Sequence, residues 1–261
     1  MIISKIQGGL GNQLFQWAIA ENLANLSNTN YSFDISFYLN QNHRKFELYK
    51  FKNITINISQ AQDIDLLKLN IIDESSVSFN EIYYKDPTYL YGYWQNEIFF
   101  RKSKDLIKSK LKIDNDLDIY IKNKYPILNE NTVSMHIRRT DYLSLSDYHY
   151  NQSLNYYNHA YDILNDKNIN VIVFSDDINW CKENMKFNNI HYIENEDNIV
   201  DLYIMSKCKN NIIANSTFSW WAAWLNENTE KKVFAPKNWF SHKGPEKTNL
   251  LLDQWIIIDN N

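Results

Sequence analysis

Three short apolar segments in the second half of the chain each run into a polar cluster, and this repeat constrains the fold more than any other feature. Val133-Ser134-Met135-His136-Ile137 leads into Arg138-Arg139-Thr140-Asp141. Val171-Ile172-Val173-Phe174-Ser175 leads into Asp176-Asp177, and Asn211-Ile212-Ile213-Ala214 into Asn215-Ser216-Thr217. Apolar runs of this length read as strands, here over 132–137, 170–175 and 211–214. Helical apolar spacing predicts helices over 153–165, 177–185, 198–207 and 217–226, with further strands at 191–193, 232–235 and 255–258. Strands alternating with helices imply a mostly parallel sheet covered on both faces. In such a sheet the polar clusters collect at the carboxyl edge, where ligands bind.

The first cluster carries the most chemistry. Side chains alternate along a strand, so His136 and Arg138 point one way and Ile137 and Arg139 the other. A guanidinium stays charged and donates a planar fork of hydrogen bonds, which suits phosphate. Arg138 therefore reads as an anion anchor, or else as the partner of a structural carboxylate such as Asp141. Ser216 and Thr217 open the helix of Trp220, Trp221 and Trp224. They suit a phosphate or sugar hydroxyl, and suit plain helix capping equally well. Asp176-Asp177 also fits a cap.

The start reads β-loop-α-β: a strand over 2–6, a helix over 14–26 and a strand over 31–35. Between the first two lies Gly8-Gly9-Leu10-Gly11-Asn12-Gln13, which holds three of the five glycines. This loop opens a helix N-terminus that favours anions, or only solves a steric problem. It matches neither a dinucleotide fingerprint nor a Walker loop. Further on, helices are expected over 63–70 and 99–111. Leu90-Tyr91-Gly92-Tyr93-Trp94-Gln95-Asn96 mixes aromatic faces with amides, as sugar sites do and as ordinary core turns also do. The charged stretch 114–131, with Pro126, predicts a domain boundary, giving domains 1–127 and 128–261.

Composition excludes several classes. A net charge of -4 and 31 acidic residues argue against nucleic-acid binding. Cys181 and Cys208 lack metal-site spacing, so zinc is not expected and a reduced, cytoplasmic setting is. The chain enters its first strand without a signal-peptide pattern, and no apolar stretch reaches bilayer length. Asp63/Asp65, Asp114/Asp116 and Asp116/Asp118 have D-x-D spacing but do not follow apolar strands, so no metal site is assigned. G-x-S-x-G and H-E-x-x-H are absent.

Taken together, Gly8-Gly9-Leu10-Gly11-Asn12-Gln13-Leu14-Phe15-Gln16, His136-Ile137-Arg138-Arg139-Thr140-Asp141-Tyr142, Phe174-Ser175-Asp176-Asp177 and Asp201 to Cys208 running into Asn215-Ser216-Thr217-Phe218-Ser219-Trp220-Trp221 resemble glycosyltransferase family 11, the α-1,2-fucosyltransferases. The motifs stand in family order across nearly the whole chain. Thr140 departs from the glycine that many members carry, although α-1,6 relatives have threonine there. The resemblance implies a GT-B-like α/β architecture, two Rossmann-type domains with parallel sheets facing a cleft, the first on the acceptor side and the second binding GDP-fucose. It implies inverting, metal-independent and cofactor-free transfer of L-fucose from GDP-β-L-fucose to a galactose 2-hydroxyl in an oligosaccharide or lipid-linked glycan. That location would be cytoplasmic, peripheral at the inner membrane face. Arg138 would hold the β-phosphate, supported by His136 and Asp141. Asp201 would lie near the nucleoside, and Ser216 and Thr217 near the phosphates or fucose. Gly9, Gly11, Asn12, Gln13, Asp177 and Asn215 complete the expected donor-binding set. No clear base emerges: Asp141 is the nearest carboxylate, and bracing the arginines is its other role. The alternatives are another nucleotide-sugar transferase, or an inert nucleotide- or sugar-binding protein.

Overall fold

The computed structural model describes the chain except for residues 41–42, 60–64, 66–67, 78–81, 83, 246–249 and 261. Contacts divide it into two units, Met1–Lys112 and Ile113–Asn261. In the first, β1 (Ile2–Lys5), α1 (Leu10–Ser27), β2 (Tyr31–Asp34), β3 (Asn70–Asp73), β4 (Thr88–Tyr91) and α2 (Lys104–Lys110) follow in chain order. The strands form a parallel sheet ordered β2-β1-β4-β3. Helix α1 is buried at nearly every position from Leu10 to Ala24. It lies inside the core, with Leu14, Phe15 and Trp17 fully enclosed and Gln13, Gln16, Glu21 and Asn22 buried beside them. Its one buried acid, Glu21, is neutralised by Lys110 of α2 at 3.0 Å.

The second unit contains α3 (Asn115–Lys124), β5 (Thr132–Ile137), α4 (Thr140–Ser144), α5 (Leu154–Leu164), β6 (Asn170–Ser175), α6 (Ile178–Asn184), β7 (Asn189–Tyr192), α7 (Asn198–Lys207), β8 (Asn210–Ile212), α8 (Thr217–Leu225), β9 (Val233–Pro236) and β10 (Ile256–Ile258). All six strands are parallel, in the order β10-β9-β8-β5-β6-β7. This is the doubly wound Rossmann order, with its switch point between β5 and β8. Alternation along β5 sorts the two faces. Val133, Met135 and Ile137 enter a core with Tyr156, Tyr157 and Ala160 of α5 and Cys181 of α6. Ser134 and His136 face the other way, toward Asn211 and Phe218. The tryptophans of α8 are buried, Trp220 and Trp224 near parallel and Trp221 edge-on to both, and Trp220 donates its indole N–H to the Leu250 carbonyl at 2.6 Å.

Several expectations need correction. The boundary falls at Lys112, not 127, because residues 115–124 form α3, which packs against α7. Asp114 and Asp118 are consumed by that helix: Asp114 caps it, and Asp118 pairs with Lys122 and Lys207. Helix α1 begins at Leu10 rather than 14, so Gly11, Asn12 and Gln13 are its first turns and the loop shrinks to Gly8-Gly9. Only Gly8 there needs a positive φ, +78°. Half of the helix expected over 63–70, Asp63 included, falls outside the described residues, and its last residue starts β3.

A buried polar strut joins the layers of the second unit. The fully enclosed Asn211 amide donates to Ser134 Oγ at 2.7 Å and the Met205 carbonyl at 2.8 Å, and its oxygen accepts from Asn226 at 2.8 Å. Asn211→Leu strands those partners, so we expect a loss of at least about 2 kcal/mol. Urea unfolding against the wild type checks it, and a loss within error of zero would remove the strut from the stability argument.

Candidate active site

Where β5 ends, the chain turns sharply into the five-residue helix α4, and the turn is held from two sides. Arg138 lies against Asp141 of that helix in a bidentate pair, Nε to Oδ1 at 2.9 Å and Nη2 to Oδ2 at 2.7 Å. Asp176, just beyond β6, accepts the Arg139 backbone N–H at 2.9 Å and the Thr140 N–H at 3.2 Å. It also takes the Thr140 hydroxyl and stands 3.2 Å from Arg138 Nε. Burial works against the Arg138 charge. The Asp141 hydrogen bonds and the field of Asp176 outweigh it, so the guanidinium pKa is raised. Asp141 thus braces Arg138.

Arg139 points away, as alternation requires. Its Nε reaches Asp177 at 3.3 Å and its guanidinium lies 3.6 Å from the centre of the Trp180 ring. Asp177 caps α6 by accepting the Trp180 N–H at 3.3 Å. Expected as a donor contact, Asp177 instead has its carboxylate engaged by its own helix and by Arg139.

Across the switch point, Asn215, Ser216 and Thr217 follow β8. Ser216 caps α8. The Asn215 amide, 1% exposed, donates to the Tyr150 and Trp239 carbonyls at 2.8 and 2.7 Å. The two sides meet where Tyr142 of α4 donates its hydroxyl to the Asn215 carbonyl at 2.9 Å. His136 lies within β5, 6% exposed, its ring 5.8 Å edge-on from Phe218. Burial foremost, then the Arg138 charge, push its pKa down to about 4 against the pull of Asp176. It is therefore neutral at pH 7. His136 Nδ1, Asn215 Oδ1 and His149 Nδ1 are buried without hydrogen-bond partners. A buried polar group left unpaired costs about 1–3 kcal/mol.

Asp201 lies apart from this cluster, in the first turn of α7. Burial, then Glu196 and Asp197, raise its pKa to about 7, and its Oδ1 is also unpartnered. Glu196 is itself fixed by the hydroxyls of Tyr120 and Tyr125 and by Lys124 on and beside α3. Among the described residues no three His, Cys, Asp or Glu side chains gather as a metal site.

In the first unit the carboxyl edge of β1 carries the glycine turn. Gly9 caps α1 with its carbonyl, which accepts from the N–H groups of Asn12 and Gln13, and the Arg44 guanidinium lies against it. Gln13, expected at the ligand, is fully enclosed: it donates to the Gly8 and Lys45 carbonyls and accepts from the Glu47 N–H. Gly11 is buried within α1. Asn12 accepts from Gln95 at 2.9 Å, which ties the turn to the segment after β4. In that segment Tyr91 and Tyr93 are exposed, while Trp94 is enclosed edge-on to Phe99. Asp176, read from the sequence only as part of a polar strand end and a possible cap, proves to hold the turn after β5, and His149, in a polar stretch without periodic signal, is not singled out by the sequence.

The profile of Glycosyl transferase family 11 matches residues 45–259. The O-antigen biosynthesis glycosyltransferase WbnK of Escherichia coli is 33% identical, covering 98% of this chain and 99% of its own. An alpha-1,2-colitosyltransferase of Escherichia coli is 27% identical, over 99% of each. Among solved structures, the fucosyltransferase NodZ from Bradyrhizobium superposes with a TM-score of 0.54 at 12% identity, covering 85% of this chain and 91% of that one. NodZ alpha-1,6-fucosyltransferase soaked with GDP-fucose gives 0.50 at 13%, over 86% and 91%. These likenesses bear out the α/β, GT-B-like fold class. No helix among the described residues is long and apolar enough to cross a membrane.

Burial of His136 has a consequence for pH. Its folded pKa, about 4, lies below the ordinary 6.5, so the unfolded chain binds the extra proton between those values. The stabilisation is complete above pH 6.5 and is lost as pH falls toward 4, by about 3 kcal/mol in all. His136→Gln should flatten that part of the stability curve. Urea titrations at pH 7 and 5 check this, and parallel losses in both proteins would refute it.

Proposed function

Because the chain belongs to glycosyl transferase family 11, we propose that this glycosyltransferase is an inverting α-1,2-fucosyltransferase using GDP-β-L-fucose and the 2-hydroxyl of a galactose in a bacterial surface glycan. The observation that carries this reading is the braced Arg138 beside the switch point. Transfer breaks the bond between fucose C1 and the β-phosphate oxygen and forms one from the acceptor oxygen to C1. Negative charge develops on the departing diphosphate while the sugar gains oxocarbenium character. A guanidinium already held in place stabilises that charge without reorganising. In this reading the N–H groups at the start of α8, with Ser216 and Thr217, take the remaining phosphate or fucose oxygens. The neutral His136 lies beneath the arginine without competing with it. Asp201 serves the nucleoside, and its raised pKa leaves it able to accept or share a proton with a base edge near neutrality. Asn12 and the glycine turn keep the donor-binding role that the resemblance implies for them. The acceptor proton leaves late, because a dissociative transfer needs little base assistance.

Colitose is fucose without its 3-hydroxyl, and one relative is an alpha-1,2-colitosyltransferase, so the donor sugar is the point to test. A site that hydrogen-bonds the hydroxyl rejects the analogue lacking it by about 10⁴-fold. We expect a higher kcat/KM with GDP-fucose than with GDP-colitose on a panel of β-galactosides. The reverse order makes this a colitosyltransferase, and turnover of neither sinks both assignments.

With phosphate held by protein groups alone, transfer should continue undiminished in EDTA; activity that disappears and returns with manganese or magnesium would contradict this. Arg138→Lys keeps the charge but not the fork, and should lower kcat/KM by about 100- to 1,000-fold with the fold intact by circular dichroism. Near-wild-type turnover in that variant would remove Arg138 from the mechanism.

A further inference from the structure

Helix α4 is only five residues long, too short to hold its position by its own hydrogen bonds, and the exposed stretch that follows it gives little packing. Yet it carries Asp141, which orients Arg138. Its first residue is fixed by Asp176. Its middle is fixed by a ring pair: Tyr142 and His149 stack face to face, centroids 4.0 Å apart and 4° from parallel. Tyr142 reaches both flanks of the switch point, with its ring 5.7 Å from the Arg138 guanidinium carbon and its hydroxyl 2.9 Å from the Asn215 carbonyl oxygen.

His149 has its own anchors. Its backbone N–H donates to the Leu145 carbonyl at 2.9 Å, it forms an antiparallel bridge with Phe240, and Asn215 holds the carbonyl of its neighbour Tyr150. Its Nδ1 is buried and unpartnered. Burial, reinforced by the Arg138 charge and opposed by Asp141, lowers its pKa, so the ring stacks in the neutral form and adds no second cation beside the arginine. The side chain is used for its flat face.

We infer that His149 is a positioning residue for the nucleotide diphosphate: its stack locks Tyr142 across the switch point and thereby keeps the Arg138–Asp141 clamp in its binding orientation. The inference rests on the reading of Arg138 as the diphosphate anchor. It separates the ring's face from its nitrogens, and three variants test that. His149→Ala loses the stack and should bind GDP about five- to tenfold more weakly, with donor KM rising more than kcat falls. His149→Phe keeps the flat face and should stay within about twofold of the wild type. His149→Leu keeps bulk without the face and should follow the alanine variant; it replaces that variant if alanine melts below the assay temperature. Calorimetric titration of GDP reads all three. Unchanged affinity in the alanine and leucine variants, or a phenylalanine variant as weak as alanine, would overturn the proposal. If the wild type binds no GDP, the functional reading fails and the stack is judged separately. The His149 Hε1 resonance should then shift in Tyr142→Leu as the ring current of Tyr142 is lost, those of Tyr148 and Phe240 remaining, and an unmoved resonance would overturn the stack itself.

Discussion

The carboxylate of Asp176 stands at the end of one strand and organises the end of the next. Its oxygens meet two backbone N–H groups, the Thr140 hydroxyl and the Arg138 Nε, close to the most a carboxylate accepts. Without it, the turn after β5 would leave two amide donors unpaired and Arg138 would have a single acidic partner. A half-buried guanidinium with one partner fewer is costly. The bend into α4, the orientation of Arg138 and the approach of the β5 and β6 ends therefore share one cause, and it lies outside the segment that carries Arg138.

The charge count at this edge is instructive. Arg138 and Arg139 are met by Asp141, Asp176 and Asp177, so the cluster carries one more negative than positive charge. Attraction for an anion cannot come from that sum. In the proposed reading it comes from direction: carboxylates hold the Nε edge of Arg138 and one of its terminal nitrogens, while the start of α8 presents backbone N–H groups across the switch point. Acids placed behind a guanidinium keep it charged and aimed.

Much of the second unit is legible in the sequence because its signals are local. Apolar runs of six residues, such as 132–137 and 170–175, matched their strands to the residue, and alternation sent Arg138 and Arg139 to opposite sides. The first unit was harder. Strands β3 and β4 are four residues each, and β3 is half exposed with no buried position, so neither periodicity nor hydrophobicity marks it. Strand order is a global property, and nothing local says that β8 returns to lie beside β5. Among the expected ligand residues, Gln13 and Asp177 are types suited to a ligand, but Gln13 is walled in by the backbone of residues 45–47 and Asp177 is tied to its own helix and to Arg139. The part Asp176 plays in the turn after β5 is not legible, because its partners lie 36–37 residues away, and His149 is not singled out because no periodic signal marks its stretch.

The step from α2 to α3 divides two sheets, each closed over its own buried side chains, at Lys112. In the second unit, the strut of Asn211, the tryptophans of α8 and the arginine clamp all lie beyond that step; in the first, α1 and the glycine turn lie before it. A crossover between homologous genes at this place would cut no helix or strand, and would pair an intact clamp with an intact but foreign glycine-turn unit. Residue 112 is thus a seam along which variation in this chain could be exchanged by whole units, with every helix and strand left uncut, rather than one substitution at a time.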